Sequence, residues 1–406
     1  MDLHSAYGIP PALRASVLPL EALRPTDPRA AEDLAEDPPS VRPLVEGWDA
    51  VLHLGITKDY VAKRGFDAFK SLRELVQNAL DETELTRGEP EVEMRRDALG
   101  TWIVDRGRGI AAEALALGGS DKQCWMRGYY GEGLKLGAAH FVTSGVPVYI
   151  FAGGHVFKFA ATPRESGNPR LVALLGRARQ SREGTAILLL GFRVDETELE
   201  QLVAFRNPAL AGKKIGEFRS ASEECPHEKP SAVYDTPNLL YIRNMLVGPS
   251  HEVAKRRSLL SYDLWWFRLD VSRTLTTYSV PDLFRQAAKV FDASETARRV
   301  LARKLRESGM LKVKPLAGGV VITFDPIFAI FEGHLFVYSF PRDMLDAMLE
   351  ALDLQDRKAD VVRATGEEDL EGAVRQGLVP FVVSPELSEE FRRIPALAAR
   401  MAGTSA

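Results

Sequence analysis

The segment from Asp59 to Leu85 places the strongest constraint on the fold of this chain. Its apolar residues recur at spacings of three and four, the period at which one face of an α-helix meets a core. The spacing predicts one long helix or two abutting helices. The apolar face comprises Val61, Phe66, Phe69, Leu72, Val76, Ala79 and Leu80.

Polar side chains interrupt this predicted helix on one side. Glu74, Asn78 and Asp81 follow one another at steps of four and three residues, so they form a stripe along the helix. An ordinary solvated surface would show the same stripe. A carboxylate, an amide and a second carboxylate could also line a polar site, and the segments that follow bear on that choice.

Strand-like alternation follows the helix. "EVEMRRDALGTWIVDRGRGI" alternates apolar and polar residues around "DALG", which predicts a hairpin. "VPVYIFAGGHVFKFAAT" predicts a second hairpin with Gly153 and Gly154 at its turn, and "REGTAILLLGF" predicts a buried strand. A helical segment with several antiparallel strands predicts the α+β class, with a helical layer on one mixed sheet.

A short glycine motif follows the first predicted hairpin. Asp105 ends a strand and begins "DRGRGI", where Gly107 and Gly109 allow a sharp turn and the close approach of a ligand. The carboxylate there could accept a hydrogen bond from an amine. Turns of this composition are also common without any ligand, so the motif alone leaves both interpretations open.

A second glycine motif precedes a predicted helix. Gly128, Gly131 and Gly133 space a loop that exposes backbone amides, and "LKLGAAHF" then opens a helix whose N-terminus faces that loop. This arrangement suits a phosphate group. The spacing fits neither a Walker loop nor a dinucleotide fingerprint, so a plain loop is the alternative.

Composition limits the classes of function. A formal net charge of −4 excludes a bulk polycation, so contact with nucleic acid would need a local basic patch. Cys124 and Cys225 stand alone, which argues against a zinc site or a disulfide framework. The sequence contains no leader-like segment and no apolar run long enough for a membrane span. We therefore expect a soluble, cytoplasmic protein.

The order of these motifs resembles the GHKL ATPases, the superfamily of gyrase, the heat-shock chaperone, histidine kinases and MutL. The resemblance extends from Asp59 to about Gly191 and is closest in style to the Morc and type II topoisomerase branch. It rests on four patterns in sequence order: ExxxNAxD (Glu74, Asn78, Ala79, Asp81), DxGxG (Asp105, Gly107, Gly109), GxxGxG (Gly128, Gly131, Gly133) and Gly-Thr (Gly184, Thr185).

The resemblance implies a role for each polar residue. Glu74 would be the general base that activates the attacking water. Asn78 would supply an amide oxygen to Mg²⁺. Asp81 would have a supporting role, either near the adenine or at the end of the helix. Asp105 would accept the adenine amino group, with help from Thr185.

The same resemblance implies a phosphate site and a mobile lid. The lid would run from Gly118 to Gly131 and contribute Lys122 to nucleotide binding. The glycine loop would bind phosphate through its amides. Leu134 and Lys135, which follow directly, would complete the site, with Lys135 contacting phosphate. The implied fold is a Bergerat-type α/β sandwich that binds ATP and Mg²⁺.

The resemblance and the composition together predict five segments. Prolines and acidic residues before Ala50 favour an extended arm. A smaller transducer-like α+β domain would follow the ATPase domain, and in related ATPases one transducer lysine reaches the γ-phosphate, here Lys312 or Lys314. The predicted segments are an arm (1–49), an ATPase domain (50–195), a helix with a connector (196–236), a transducer-like domain (237–345) and a C-terminal segment of unknown role (346–406).

We therefore expect an enzyme that hydrolyses ATP to ADP and phosphate and uses the energy for lid closure, conformational change or homodimerisation. One alternative is an interaction protein that ATP switches without hydrolysis. Another is the ATPase subunit of a DNA-manipulating complex. A protein or DNA partner is compatible with the sequence but is not signalled by it, and no membrane partner is expected.

Overall fold

A computed structural model divides the chain into two compact units, with the boundary between Leu202 and Val203. It describes residues 6–7, 9, 11–20, 34–115, 126–127, 132–162, 170–219, 229–249, 258–265, 287, 289–309, 311–316, 319–324, 344–353, 355–356, 361–364 and 379–383. Most of the predicted lid lies outside these ranges, as do Lys122, Cys124, Gly128, Gly131 and Cys225.

Two abutting helices occupy the amphipathic segment, as its spacing predicts. These are α1 (Lys58–Lys63) and α2 (Ala68–Arg87). Thr57 caps α1 and Asp67 caps α2, because each side chain accepts a hydrogen bond from a backbone amide in the first turn. Gly88, with a φ of 84°, ends α2 in the left-handed conformation that favours glycine.

A six-stranded sheet forms the core of the first unit, and the α+β class is confirmed. One long strand, β6, pairs with β2 and β4 on one side and with β5 on the other, and runs opposite to all three. Every described pairing in this sheet is antiparallel, so the prediction of a mixed sheet is wrong. The strands are β1 (Val17–Pro19), β2 (Val45–Thr57), β3 (Glu93–Arg96), β4 (Gly100–Val104), β5 (Val148–Thr162) and β6 (Arg170–Leu190).

The first predicted hairpin is confirmed and the second is wrong. β3 and β4 pair in register from Glu93 opposite Val104. β5 instead continues through Gly153 and Gly154 as one strand. Gly153 has a φ of 58° and marks a shift in the pairing with β6. Because β6 runs beside β5 on both sides of this shift, the glycines make a bulge and not a turn.

The described residues before Ala50 form more structure than the extended arm predicted for residues 1–49. β1 pairs with β2, and β2 begins at Val45, before the predicted domain start near Ala50. Tyr7 is also buried, and its hydroxyl donates a hydrogen bond of 2.8 Å to Asp49. The segment therefore belongs to the first unit.

A buried carboxylate fastens this segment to the sheet. Asp37 accepts hydrogen bonds of 2.9 Å from Trp48 Nε1 and from the hydroxyl of Tyr149. Lys158 Nζ lies 3.2 Å from Asp37 Oδ1, and burial lowers the pKa of this lysine. Proline content could not reveal these contacts, because the donors come from distant strands.

Both faces of the sheet are covered. Ala50, Val51 and Leu52 are consecutive on β2 and all buried, which requires cover on both sides because side chains alternate along a strand. Leu34 packs in a cluster with Val51, and Val41 packs in another with strand residues. α2 packs against β4, and α3 (Gly133–Thr143) packs against β5 and α2. α4 (Glu196–Gln201) ends the helical part of this unit.

The described residues of the second unit form two more sheets. The segment predicted as a helix with a connector (196–236) contributes two strands to the first of them. This five-stranded sheet has the order β10-β9-β11-β8-β7. Its strands are β7 (Lys214–Phe218), β8 (Ser231–Tyr234), β9 (Leu239–Ile242), β10 (Met245–Pro249) and β11 (Ser261–Leu264).

The other sheet has four described strands. Two of them come from the C-terminal segment (346–406). β14 and β15 from that segment pair with one another, and β15 pairs with β13. Lys312 and Lys314 lie on β12, and the role predicted for one of them stays a prediction. The elements are α5 (Glu295–Glu307), β12 (Leu311–Leu316), β13 (Gly319–Phe324), α6 (Met344–Ala351), β14 (Val361–Ala364) and β15 (Val379–Val383).

Within the described ranges, none of the helices combines the length and the apolar character that a membrane crossing requires.

Candidate functional site

The polar stripe on α2 is buried. Glu74 has no exposed surface, Asp81 is 1% exposed, and Asn78 is half-buried. A solvated surface would leave all three accessible, so the stripe does not belong to one. Buried carboxylates are uncommon unless they are paired or hydrogen-bonded, which makes their surroundings informative.

Asn78 is oriented by its own helix. Its Nδ2 donates a hydrogen bond of 2.7 Å to the backbone carbonyl of Glu74. Because the amide nitrogen is engaged there, Oδ1 is the atom with which Asn78 would bind a cation. The Glu74 carboxylate lies 3.5 Å from Gln77 Nε2, a long contact for a hydrogen bond.

Asp81 binds an arginine that the sequence did not signal. The backbone amide of Arg127 donates to Asp81 Oδ1 at 2.9 Å, and its guanidinium approaches the same oxygen at 3.2 Å. The guanidinium also lies 2.8 Å from Glu84. Asp81 thus helps to hold Arg127 against α2, and the roles that the resemblance implied for Asp81 stay predictions.

Asp105 and Thr185 lie side by side, as the resemblance implied. The pairing of β4 with β6 continues past Val104, so that the two residues exchange backbone hydrogen bonds of 2.8 and 3.2 Å. The Asp105 carboxylate accepts two amide hydrogen bonds at Oδ1, from Gly107 at 2.9 Å and from Thr185 at 3.2 Å. Neither of these amides donates a hydrogen bond to Oδ2.

Burial dominates the electrostatics of Asp105. It raises the pKa of this carboxyl to about 6, although the amides of Gly107 and Thr185 act in the opposite direction. The carboxylate of Glu82 adds to the increase. Asp105 is therefore a buried acceptor whose charge changes close to neutral pH.

Two glycines let the strands approach one another at this point. Gly184 has a φ of 71°, and a Cβ at this position would lie 2.1 Å from the carbonyl oxygen of Asp105. Gly109 has a φ of 87° and lies against Gly184 and Ala152. The DxGxG and Gly-Thr patterns thus form one local structure, and no larger residue fits at Gly184.

The C-terminal half of α2 holds this structure through two residues that sequence reasoning missed. Glu82 accepts from the Arg108 amide at 2.9 Å and pairs with its guanidinium at 2.8 Å. Arg87 donates to the Arg106 carbonyl at 2.8 Å and pairs with Glu183 at 2.5 Å. Glu82 follows Asn78 by four residues, a spacing that could have suggested a shared face of the helix.

The N-terminal half of α2 contacts the third motif. α3 crosses α2 so closely that a Cβ on Gly137 would lie 2.9 Å from the carbonyl oxygen of Ser71. Gly133, Leu134 and Lys135 are buried in the first turn of α3, and Lys135 is 1% exposed. Burial lowers the pKa of Lys135 to about 8. The predicted contact of Lys135 with phosphate stays a prediction.

Asn78 Oδ1 is the oxygen of this stripe that could bind a cation without a charge of its own. Among the described residues, no group of three His, Cys, Asp or Glu side chains could hold a metal ion. A single oxygen ligand from Asn78 is compatible with Mg²⁺, which keeps several waters and is commonly shared with substrate phosphates.

No protein-family model and no curated protein sequence matches this chain.

Proposed function

We propose that the first unit is a Mg²⁺-dependent ATPase of the GHKL superfamily with a Bergerat-type α/β sandwich. The arrangement of the sequence motifs along α2 carries this proposal. α3 crosses the helix at Ser71, the DxGxG loop contacts it at Glu82, and Asn78 lies between them. Ser71 and Glu82 are separated by about 16 Å of helix. This length leaves room for the adenine near Glu82 and for the phosphates near Ser71.

Asp105 is proposed to bind the adenine. Its Oδ2 is not used by the two amides that fix Oδ1, so it can accept a hydrogen bond from the exocyclic amine. A buried polar group that a ligand satisfies gives strong discrimination, because a base without the amine would leave the carboxylate unpaired. This geometry supports adenine over a base that lacks a donor at that position.

Glu74 is proposed to act on the attacking water. Its carboxylate would orient the water and accept a proton as the oxygen attacks the γ-phosphate in line. Mg²⁺, when bound through Asn78, offsets negative charge on the phosphate oxygens. Lys135 and the amides of Gly128 and Gly131 would hold the phosphates. Binding would drive closure and homodimerisation, with the second unit as transducer.

The complete burial of Glu74 favours a second candidate function. A general base must reach its water through a hydrogen bond. If Glu74 stays inaccessible after ATP binds, ATP acts as a switch for protein interactions, and its hydrolysis is slow or absent.

Calorimetry and phosphate release test both candidates. We expect the β,γ-imido analogue of ATP to bind only with Mg²⁺, and Glu74→Gln to retain that affinity while losing about 100-fold or more in turnover. Glu46→Gln, on the exposed part of β2, is the control and should turn over normally. Binding without turnover in the wild type selects the switch. Absence of Mg²⁺-dependent affinity for adenine nucleotides contradicts both candidates.

A further inference from the structure

A buried ion pair joins residue 127 to α2. The side chains of Arg127 and Asp81 are each 1% exposed, and that of Glu84 is 7% exposed. One guanidinium nitrogen lies 3.2 Å from Asp81 Oδ1 and 2.8 Å from Glu84 Oε2. The backbone amide of Arg127 also donates to Asp81, so both the main chain and the side chain are held.

Such a pair is poorly explained by stability alone. Removing charges from water is expensive, and apolar residues of similar size often replace a buried ion pair without loss of stability. An arginine forms bonds of fixed direction to two carboxylates at once, which gives geometric specificity. The pair therefore suits a place where the position of the main chain matters.

The location of the pair indicates what it positions. Asp81 and Glu84 continue the stripe of Asn78 at steps of three residues. Beyond Arg127, the chain is described again at Glu132, whose carboxylate lies 3.4 Å from the hydroxyl of Tyr60. Five residue steps thus join a point fixed on α2 to the start of α3.

We infer that Arg127 is a positioning residue: its pairing with Asp81 and Glu84 fixes the main chain one turn from Asn78, and affinity for the phosphate end of a nucleotide depends on that pairing. The inference rests on the proposed function. It adds a residue that none of the sequence motifs contains. Arg127 precedes Lys135, the proposed phosphate contact, by eight residues, whereas Asp105 is held by the amides of Gly107 and Thr185. The pair should therefore affect triphosphate and adenosine differently.

Binding of two ligands to Arg127→Met tests the inference. We expect affinity for the Mg²⁺ complex of the β,γ-imido analogue to fall about ten- to hundredfold, since small misplacements near a phosphate site are costly. Affinity for adenosine, measured by ligand-observed NMR, should hold within about twofold because the amides of Gly107 and Thr185, and not Arg127, hold the Asp105 carboxylate. Arg127→Lys, which keeps the charge but not the fork of donors, should recover part of the loss.

Lys158→Met is the matched control. It removes another buried cation of the same unit, which binds Asp37 and the N-terminal segment. If both methionine variants weaken the analogue equally at equal loss of stability, the effect is general destabilisation and the inference is wrong. Selective loss in Arg127→Met supports it.

Hydrogen exchange at the Arg127 amide separates the possible failures. This amide should be protected in the wild type and should lose protection in Asp81→Ala. If the wild type binds the analogue, and Asp81→Ala loses this protection but binds equally well, the inference fails while the proposed function stands. If the wild type binds neither ligand, the proposed function fails and the inference fails with it.

Discussion

At the scale of single residues, Asp105 is the most informative group. Burial and two amide hydrogen bonds act on its carboxyl in opposite directions, and burial dominates. A ligand amine would add a donor to the charged form. The ionisation of this residue should therefore be visible in both binding and folding.

Nucleotide affinity should decrease as the pH falls through about 6, because protonation converts the Asp105 acceptor into a neutral carboxylic acid. Calorimetry of the β,γ-imido analogue between pH 5 and pH 8 measures this dependence. Protonation of the phosphates changes the affinity of every variant equally. The difference between wild type and Asp105→Asn therefore gives the pH dependence that is due to Asp105. An unchanged profile in Asp105→Asn would rule out Asp105 as the titrating group.

The same pKa predicts an effect on folding. A carboxyl whose pKa is raised in the folded state binds protons there first, so its contribution to stability is lost as the pH rises from about 4 to about 6. At pH 7 the charged form costs at most about 3 kcal/mol. Urea denaturation should show Asp105→Asn gaining stability relative to wild type between pH 5 and pH 7. If the gain in stability is the same at pH 5 and at pH 7, the ionisation of Asp105 is not its cause.

At the scale of elements, α2 organises the first unit. Its N-terminal half meets α3 at Ser71, and its C-terminal half holds the DxGxG loop through Glu82. The close crossing at Gly137 brings the two helix backbones together, so that a side chain at this position has no room.

Gly137→Ala should lower the free energy of unfolding by about 1–3 kcal/mol, because its Cβ would lie 2.9 Å from the Ser71 carbonyl and the helices must separate. Gly154→Ala is the matched control, since a Cβ there meets nothing within 4 Å. Denaturant midpoints of the two variants measure the difference. Equal midpoints would mean that α3 can shift at little cost.

Local periodicity predicted the elements of the first unit better than the contacts between them. The three-and-four spacing before Leu85 identified α1 and α2, and alternation around "DALG" identified β3 and β4. The predicted hairpin at β5 is wrong because Gly153 permits either a turn or a bulge, and only pairing with β6 decides between them.

The residues of the candidate site also fall into two groups, those that the sequence motifs identified and those that they did not. Asp105 and Thr185 were placed together through known motif order, and the structure pairs them. Arg127 and Glu82 could not be assigned, because their partners lie 46 and 26 residues away and no local pattern encodes such contacts. Ion pairs between residues so far apart in the sequence depend on tertiary structure.

At the scale of the whole molecule, the N-terminal segment gives the first unit its second covering layer. Asp37 attaches this segment to the sheet, because its carboxylate accepts hydrogen bonds from three donors on the strands. An arm of the kind predicted from prolines would tolerate mutation freely, and this segment should not.

Asp37→Ala should destabilise the first unit by about 3–5 kcal/mol, since it leaves Lys158 as a buried charge without its carboxylate. Glu36→Ala, whose side chain is 70% exposed, is the control and should change stability by less than about 0.5 kcal/mol. Thermal denaturation with circular dichroism measures both. Equal melting temperatures for the two variants would show that the segment is dispensable.

The central place of β6 has a consequence for synthesis on the ribosome. Val51 pairs with Leu174, and Ile103 pairs with Ile187. Neither pair can form until nearly all of the first unit has left the exit tunnel. Until then β2, β4 and β5 all lack β6 as a neighbour, and pairings so distant in sequence form slowly. Translation speed and chaperone supply should therefore govern the yield of this protein more than the stability of its finished fold.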